Sequence, residues 1–366
     1  MNVTEREKVP DTGWKMGVEV ELMAPRGLSR RHLAVRLAAD TGGTVQTYFL
    51  HQEEPSKVPG MTLFDNLTQA FEVVRPDGRW AARLADDLTL QVDLDRRAPP
   101  KPGWFRIVSD DRRLLRLIAR HGPADQDAFA ALSPTADLFG TRPRRQEGAM
   151  VQIVDETGAP VAIGAPLPGE RERPCEVISA PMIHNQLTCL ESLLAPAREL
   201  GFSIPIEAAV HLHFDATPLK NSRVFANLVR FFSSALPILK DLVMTNPRCR
   251  RLGPWPDALI EMVDEPGFRQ LPWPAAQQRL QTLNLTKYCD LNLKNVVHEV
   301  NGKDTVEVRI LPGMIHGQEV MHCAHLFAGL LRYAIATDVI DDERGEGVER
   351  IISELEMPDQ VKQGWV

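Results

Sequence analysis

Four short runs of this chain alternate apolar side chains with ionisable ones, and they do so with the period of a β-strand. The first is Gly17-Val18-Glu19-Val20-Glu21, within WKMGVEVELMAP, bounded by a glycine and a proline. It puts Glu19 and Glu21 on one face and Val18 and Val20 on the other. In AAVHLHFDA, His211, His213 and Asp215 alternate with Leu212 and Phe214. In DTVEVRIL, Thr305, Glu307 and Arg309 alternate with Val306, Val308 and Ile310. In CEVISAP, Glu176 sits between Cys175 and Val177. Such a chain must build a sheet with one packed face and one face rich in charge.

A single strand of this kind reads as the solvated face of an antiparallel sheet. The four together read differently. They contain no lysine, and their ionisable positions are Glu, His, Asp and Arg. Carboxylates facing one cleft repel one another unless cations neutralise them. Hard divalent cations such as Mg²⁺ take carboxylate oxygens, and a histidine ligand widens the choice to Mn²⁺. Glu307 lies two residues from Arg309, whose planar fork suits phosphate oxygens. A metal and an arginine on one face are what phosphoryl transfer requires electrostatically. The chain has no GxxxxGK[ST] and no GxGxxG, so a nucleotide would be held by metals on a sheet.

Along the chain, SRRHLAVRLAADTGG predicts a helix capped by Ser29, with Leu33, Val35 and Leu37 apolar and Gly42-Gly43 ending it. Residues from about 51 to 172 are rich in Pro, Gly, Asp and Arg. They hold two hairpin signals, AFEVVRPDGRWAARL and MVQIVDETGAPVAIGAP, and a short helix in DDRRLLRLIARHG. From 173 onward the periods sharpen. NQLTCLESLLAPARELGF is an amphipathic helix, and a long helix follows Asn221 with Phe225, Leu228, Val229 and Phe232 on its apolar stripe. KYCDLNLKNVVHEV and DTVEVRILPG read as two strands joined at Asn301-Gly302. A last helix, GQEVMHCAHLFAGLLRYAIATDVI, precedes an acidic tail. Irregular alternation of strands and helices with hairpins predicts an α+β fold with a mainly antiparallel sheet flanked by helices, not a doubly wound parallel one.

The formal net charge of -7 argues against a nucleic-acid partner bound through a basic face. No apolar run is long enough to cross a bilayer, and the N-terminal MNVTEREKVPDTG has no apolar stretch of the signal-peptide kind. The five cysteines are scattered and never in a CxxC pair, which predicts free thiols and a reducing, cytoplasmic setting of bacterial type.

The ordered set GVEVE, EVISAP, VHLHFD and TVEVR resembles the amidoligase family of the carboxylate-amine ligase superfamily, which is related to glutamine synthetase and glutamate–cysteine ligase. The resemblance implies a curved antiparallel sheet that carries ATP and two or more Mg²⁺ or Mn²⁺ ions on its concave face. It implies ATP-dependent amide formation through an acyl phosphate, from a carboxylate and an amine supplied by small molecules or peptides. On this reading residues 14–50 and 173–340 form the catalytic core, 51–172 an elaborated insertion and 341–366 a C-terminal tail. Glu19, Glu21, Glu176 and Glu307 look like metal ligands. His213 looks like a metal or phosphate ligand, with His211 its neighbour on the same face. Arg309 looks like the cation on the transferred phosphoryl group, acting with Glu307 in catalysis. Arg248, Arg250 and Arg251 in NPRCRRLGPW resemble a basic stretch that binds phosphate or a substrate carboxylate, or else form a solvated loop. Asn292 in YCDLNLKN stands where the family tends to have a polar residue near the site.

Other residues invite a weaker reading. His322 and His325 have helical spacing that can bind a metal but fits partly buried helix positions better. Cys175 faces away from Glu176 and reads as packing, and His316 lies after the Gly313 turn within reach of the site's edge. Two rival functions stay open. The His211-Leu212-His213 strand would suit a metal-dependent hydrolase, and a relative that binds nucleotide or amino acid without catalysis would keep the fold. Whether the chain forms an oligomer is also open.

Overall fold

Alternating β-branched and ionisable residues form strands where expected, and helices fill the intervals between them. A computed structural model of the chain describes residues 9–55, 63–249, 251–298, 303–340 and 347–365. Its strands are β1 (Met16–Met23), β2 (Thr44–Pro55), β3 (Leu63–Val74), β4 (Trp80–Ala85), β5 (Phe105–Val108), β6 (Arg144–Arg145), β7 (Val151–Val154), β8 (Pro160–Pro166), β9 (Pro174–Ser179), β10 (Ala209–Asp215), β11 (Leu291–Asn292) and β12 (Thr305–Pro312). The helices are α1 (Arg30–Thr41), α2 (Arg112–His121), α3 (Ala128–Leu138), α4 (Gln186–Glu199), α5 (Ser222–Leu242), α6 (Asp257–Asp264), α7 (Trp273–Leu280), α8 (Lys294–His298), α9 (Gly317–Ala336), α10 (Val348–Glu354) and α11 (Asp359–Lys362). The result is a mixed α/β fold whose sheet is antiparallel within each of its two units.

One unit comprises Met1–Val20, Pro181–Ala195 and Glu207–Val366. Its strands pair in the order β11-β12-β10-β1, all antiparallel. The apolar side of β10, formed by Val210, Leu212 and Phe214, is fully buried. Helix α5 starts where the Asn221 side chain accepts hydrogen bonds from the Arg223 and Val224 N–H groups. It buries Phe225, Leu228, Val229 and Phe232 and stacks Phe232 on Phe327 of α9, with ring centroids 6.4 Å apart. The Trp14 ring meets Phe214 edge-on and its Nε1–H donates to the Asp215 carbonyl, fixing the entry into β1.

The other unit comprises Glu21–Ala180 and Pro196–Ile206. Its strand order is β9-β4-β3-β5-β8-β7-β6, again antiparallel, with β2 added along β3. Both expected hairpins are present. β3 and β4 are joined by the Arg75–Arg79 turn, where Gly78 takes a positive φ of 81°. β7 and β8 are joined through Asp155, whose carboxylate accepts from the Thr157 and Ala159 N–H groups. Residues of the insertion-like region build a core of their own together with Phe49, which lies just before that region: Leu67, Ile107, Ile118, Leu132 and Ile153 are buried with it. Helix α1 runs as predicted and ends at Gly42 in a left-handed conformation. Leu33 and Leu37 are buried one turn apart, whereas Val35 points outward at 53% exposure.

The expectation for KYCDLNLKNVVHEV needs correction. Only Leu291–Asn292 is a strand, and Lys294–His298 is helical. The cause is local: Asn292 Oδ1 accepts from the Lys294 N–H at 2.9 Å, which turns the chain out of the extended conformation. Asn301 and Gly302, the expected turn, lie outside the described residues. The tail after residue 347 carries α10 and α11.

Candidate active site

The register of the four-stranded ladder sets the site. Glu19 lies opposite His211 across β1 and β10, His213 opposite Glu307 across β10 and β12, and Glu307 opposite Asn292 across β12 and β11. Glu19 divides its two oxygens between the histidines, with Oε2 3.3 Å from His211 Nδ1 and Oε1 3.2 Å from His213 Nε2. Glu307 Oε1 lies 3.7 Å from His211 Nδ1 and 4.0 Å from His213 Nε2. Its Oε1 also accepts from Arg309 Nη1, and its Oε2 accepts from Asn292 Nδ2 at 2.7 Å. Glu307 and Arg309 are 5% and 9% exposed. A register shift places His211 against both Arg309 and Ile310, because Val210 pairs with Leu311 while Leu212 pairs with Val308. The bulge adds one residue to β12 opposite His211. Val306, Val308 and Ile310 are all buried, as their alternation predicts, and Glu307 pairs with Arg309.

Charges in so buried a place control one another. Burial alone would raise the Glu307 carboxyl, but His213 and Arg309 more than offset it and bring it down to about 2. Burial likewise opposes ionisation of Glu19, yet His213 foremost, with His211, holds it well below its ordinary value. His213 moves the other way. Burial disfavours its cation, and the carboxylates of Glu19 and Glu307 outweigh that and raise its pKa. The cluster therefore strongly favours paired opposite charges.

The same geometry fits a divalent cation. One ligand atom from each of Glu19, His213 and Glu307 lies within 4.8 Å of the others. His213 Nδ1 is 3.4 Å from Thr305 Oγ1, which turns Nε2 toward the carboxylates. That Nε2 is buried, close to Glu19 Oε1, and makes no well-directed hydrogen bond. A set of carboxylate oxygens with one imidazole nitrogen suits Mg²⁺ and, better, Mn²⁺.

Glu21 and Glu176 belong to the second unit, where their carboxylates gather with Asp87 within the same 4.8 Å limit. Sequence reasoning missed Asp87. Its one signal was the Asp86-Asp87 pair directly after the WAARLA strand. The structure separates the two acids. Asp86 is fully buried and paired with Arg171, while Asp87 Oδ1 accepts from the Thr89 N–H at 2.6 Å and from its hydroxyl at 2.7 Å.

Two arginines of the basic loop have contacts within their own part of the chain. Arg248 is exposed, and its N–H donates to Asn246 Oδ1. The Arg251 guanidinium lies over the Tyr288 ring at 5.2 Å. Neither forms an ion pair with a carboxylate among the described residues, and Arg250 lies outside them. The loop is nonetheless tied to the site strands. Asp290 accepts from the Gly253 N–H and from Lys240 Nζ, and its carbonyl accepts from the Arg309 N–H. Of the weaker candidates, His325 is buried in α9 against the Pro10 carbonyl at 2.8 Å, and burial depresses its pKa. The Cys175 thiol is fully buried and pushed up by burial, as an inert packing residue should be. His316 is exposed at the start of α9.

Residues 12–331 match the model of a family described as putative amidoligase enzyme. No curated protein and no solved structure matches the chain. No helix among the described residues is long and apolar enough to cross a membrane.

Proposed function

Because the chain belongs to the amidoligase family, we propose that it is an ATP- and divalent-metal-dependent ligase that joins a carboxylate to an amine through an acyl phosphate. One observation carries the reading: Glu19, His213 and Glu307 are gathered within ligand distance of one another, beside Arg309. This is a cation site with a phosphate-type arginine at its edge. An antiparallel ladder bearing carboxylates on successive strands also supports an arrangement of the glutamine synthetase and glutamate–cysteine ligase type.

In the first step a substrate carboxylate oxygen attacks the γ-phosphorus of ATP, the bond from that phosphorus to the β,γ-bridging oxygen breaks, and ADP leaves. In the second, the amine nitrogen attacks the acyl carbon, the carbon–oxygen bond to phosphate breaks, and the nitrogen releases a proton. Glu19, His213 and Glu307 would hold the ion, whose contribution is to neutralise phosphate oxygens and align them. Arg309 presents its fork to the transferred group, where negative charge must be stabilised. His211 orients Glu19, and Asn292 orients Glu307. Glu21, Asp87 and Glu176 form a second acidic group able to take a cation. The acyl and amine partners are amino acids or peptides on this reading.

The test is product formation from ATP, Mg²⁺ or Mn²⁺ and pooled amino acids and short peptides, followed by mass spectrometry. ADP, phosphate and a condensed amide in equal amounts support the ligase. Amide cleavage that proceeds without ATP would replace it with a metal-dependent hydrolase.

A further inference from the structure

Both oxygens of Glu307 are engaged by the chain itself. Asn292 Nδ2 donates to Oε2, and Arg309 Nη1 donates to Oε1 from two residues along the same strand. The pair is buried, so the carboxylate needs positive charge beside it, and Arg309 supplies part of it together with His213. The function proposed above asks more of the same two residues. Glu307 is to bind a divalent ion, and Arg309 is to bind a phosphoryl group. Both demands fall on the one contact between Arg309 Nη1 and Glu307 Oε1.

We propose that Arg309 is a displaceable internal counter-ion, so that a divalent cation at Glu307 Oε1 releases the guanidinium for a phosphate-class anion and the two ligands bind cooperatively. The inference rests on the cation and phosphate assignments of that reading. Without a cation, an anion must compete with Glu307 for Arg309. With one, the competition is relieved. Linkage makes the effect reciprocal, so a bound anion also strengthens cation binding. Glu19 provides an internal control. It carries the same charge in the same cluster, but its oxygens face His211 and His213 rather than Arg309.

The experiment is calorimetric titration of inorganic phosphate into the metal-free full chain. Wild type should bind weakly. Glu307→Gln should bind about fivefold or more tightly, the lower end of ordinary coupling between sites. Glu19→Gln should show no comparable gain, and adding Arg309→Ala to Glu307→Gln should abolish it. An equal gain in both single variants would mean bulk charge alone, and no gain in Glu307→Gln would mean that Arg309 is not withheld. Either result overturns the proposal. If circular dichroism shows Glu307→Gln unfolded, the wild-type protein decides. The Arg309 guanidinium NMR signals, assigned by their loss in Arg309→Lys, should shift when Mg²⁺ is added without phosphate. Signals unmoved at saturating Mg²⁺ refute the displacement. None of these readouts involves turnover. A failed ligase assay leaves the coupling intact, and failed coupling beside intact Mg²⁺-dependent ligation removes this inference alone.

Discussion

Asn292 Nδ2 donates to Glu307 Oε2 at 2.7 Å across the β11–β12 pair, while its Oδ1 accepts from the Lys294 N–H at 2.9 Å. One side chain thus orients the central carboxylate and also ends its own strand. Replacing Asn292 with Ala should lower metal affinity or kcat/KM about 10- to 100-fold, the usual effect of removing a partner that orients a ligand. Isothermal titration with Mn²⁺ checks this. Unchanged affinity and rate would reduce Asn292 to a turn-former.

Arg309→Lys keeps the charge and loses the planar fork. The loss in kcat should approach the factor of about 10² or more seen when a transition-state donor is removed. Steady-state kinetics with ATP decide it, and wild-type rates in the variant would exclude Arg309 from phosphoryl transfer.

The alternating runs were legible because each packs one apolar face, and period 2 is a local property of the chain. Both hairpins were legible from their turn residues, and α1, α5 and α9 from the equally local period of 3.6. The meeting of Glu19 with His211 and His213 was not. It depends on register between segments nearly two hundred residues apart, fixed by pairs such as Met16 with Phe214. The shift opposite His211 was hidden as well, since Val306, Val308 and Ile310 look evenly spaced in sequence. Asn292 misled the reading of its own segment. A run of Leu, Val and Tyr reads as strand, but a side-chain hydrogen bond to Lys294 overrode the propensity. Asp87 lay in a loop after β4, where no periodicity marks it.

Acid and base should each weaken the metal-free protein. Glu307, down at about 2 from an ordinary 4.5, and Glu19, also lowered, bind fewer protons folded than unfolded. Their stabilisation is complete above about pH 4.5 and is lost as pH falls toward 2. His213, raised from 6.5, binds more protons folded than unfolded. Its contribution is complete below about pH 6.5 and is lost as pH rises through its raised value. With chelator present, this cluster's contribution should therefore peak between these limits. Thermal melts of wild type against Glu307→Gln test it, with the acid-side loss smaller in the variant. Parallel pH curves would contradict the pairing.

Phe232 stacks on Phe327 between α5 and α9, and neither ring is a candidate cation ligand. Phe232→Ala should cost about 3–5 kcal/mol by leaving a cavity. A denaturant titration should show the midpoint fall, and Mn²⁺ affinity of the folded fraction should stay near wild type. A loss below about 1 kcal/mol would mean the two helices repack freely.

The central claim is that Glu19, His213 and Glu307 hold a cation that ATP-dependent amide formation requires. The most direct measurement is ADP formation by Glu19→Gln and Glu307→Gln, each shown to be folded, against wild type with ATP, Mn²⁺ and a substrate pool. The account predicts metal-dependent ADP and amide from wild type and about 10²-fold less from each variant. Equal ADP and amide yields from wild type and either variant would contradict it.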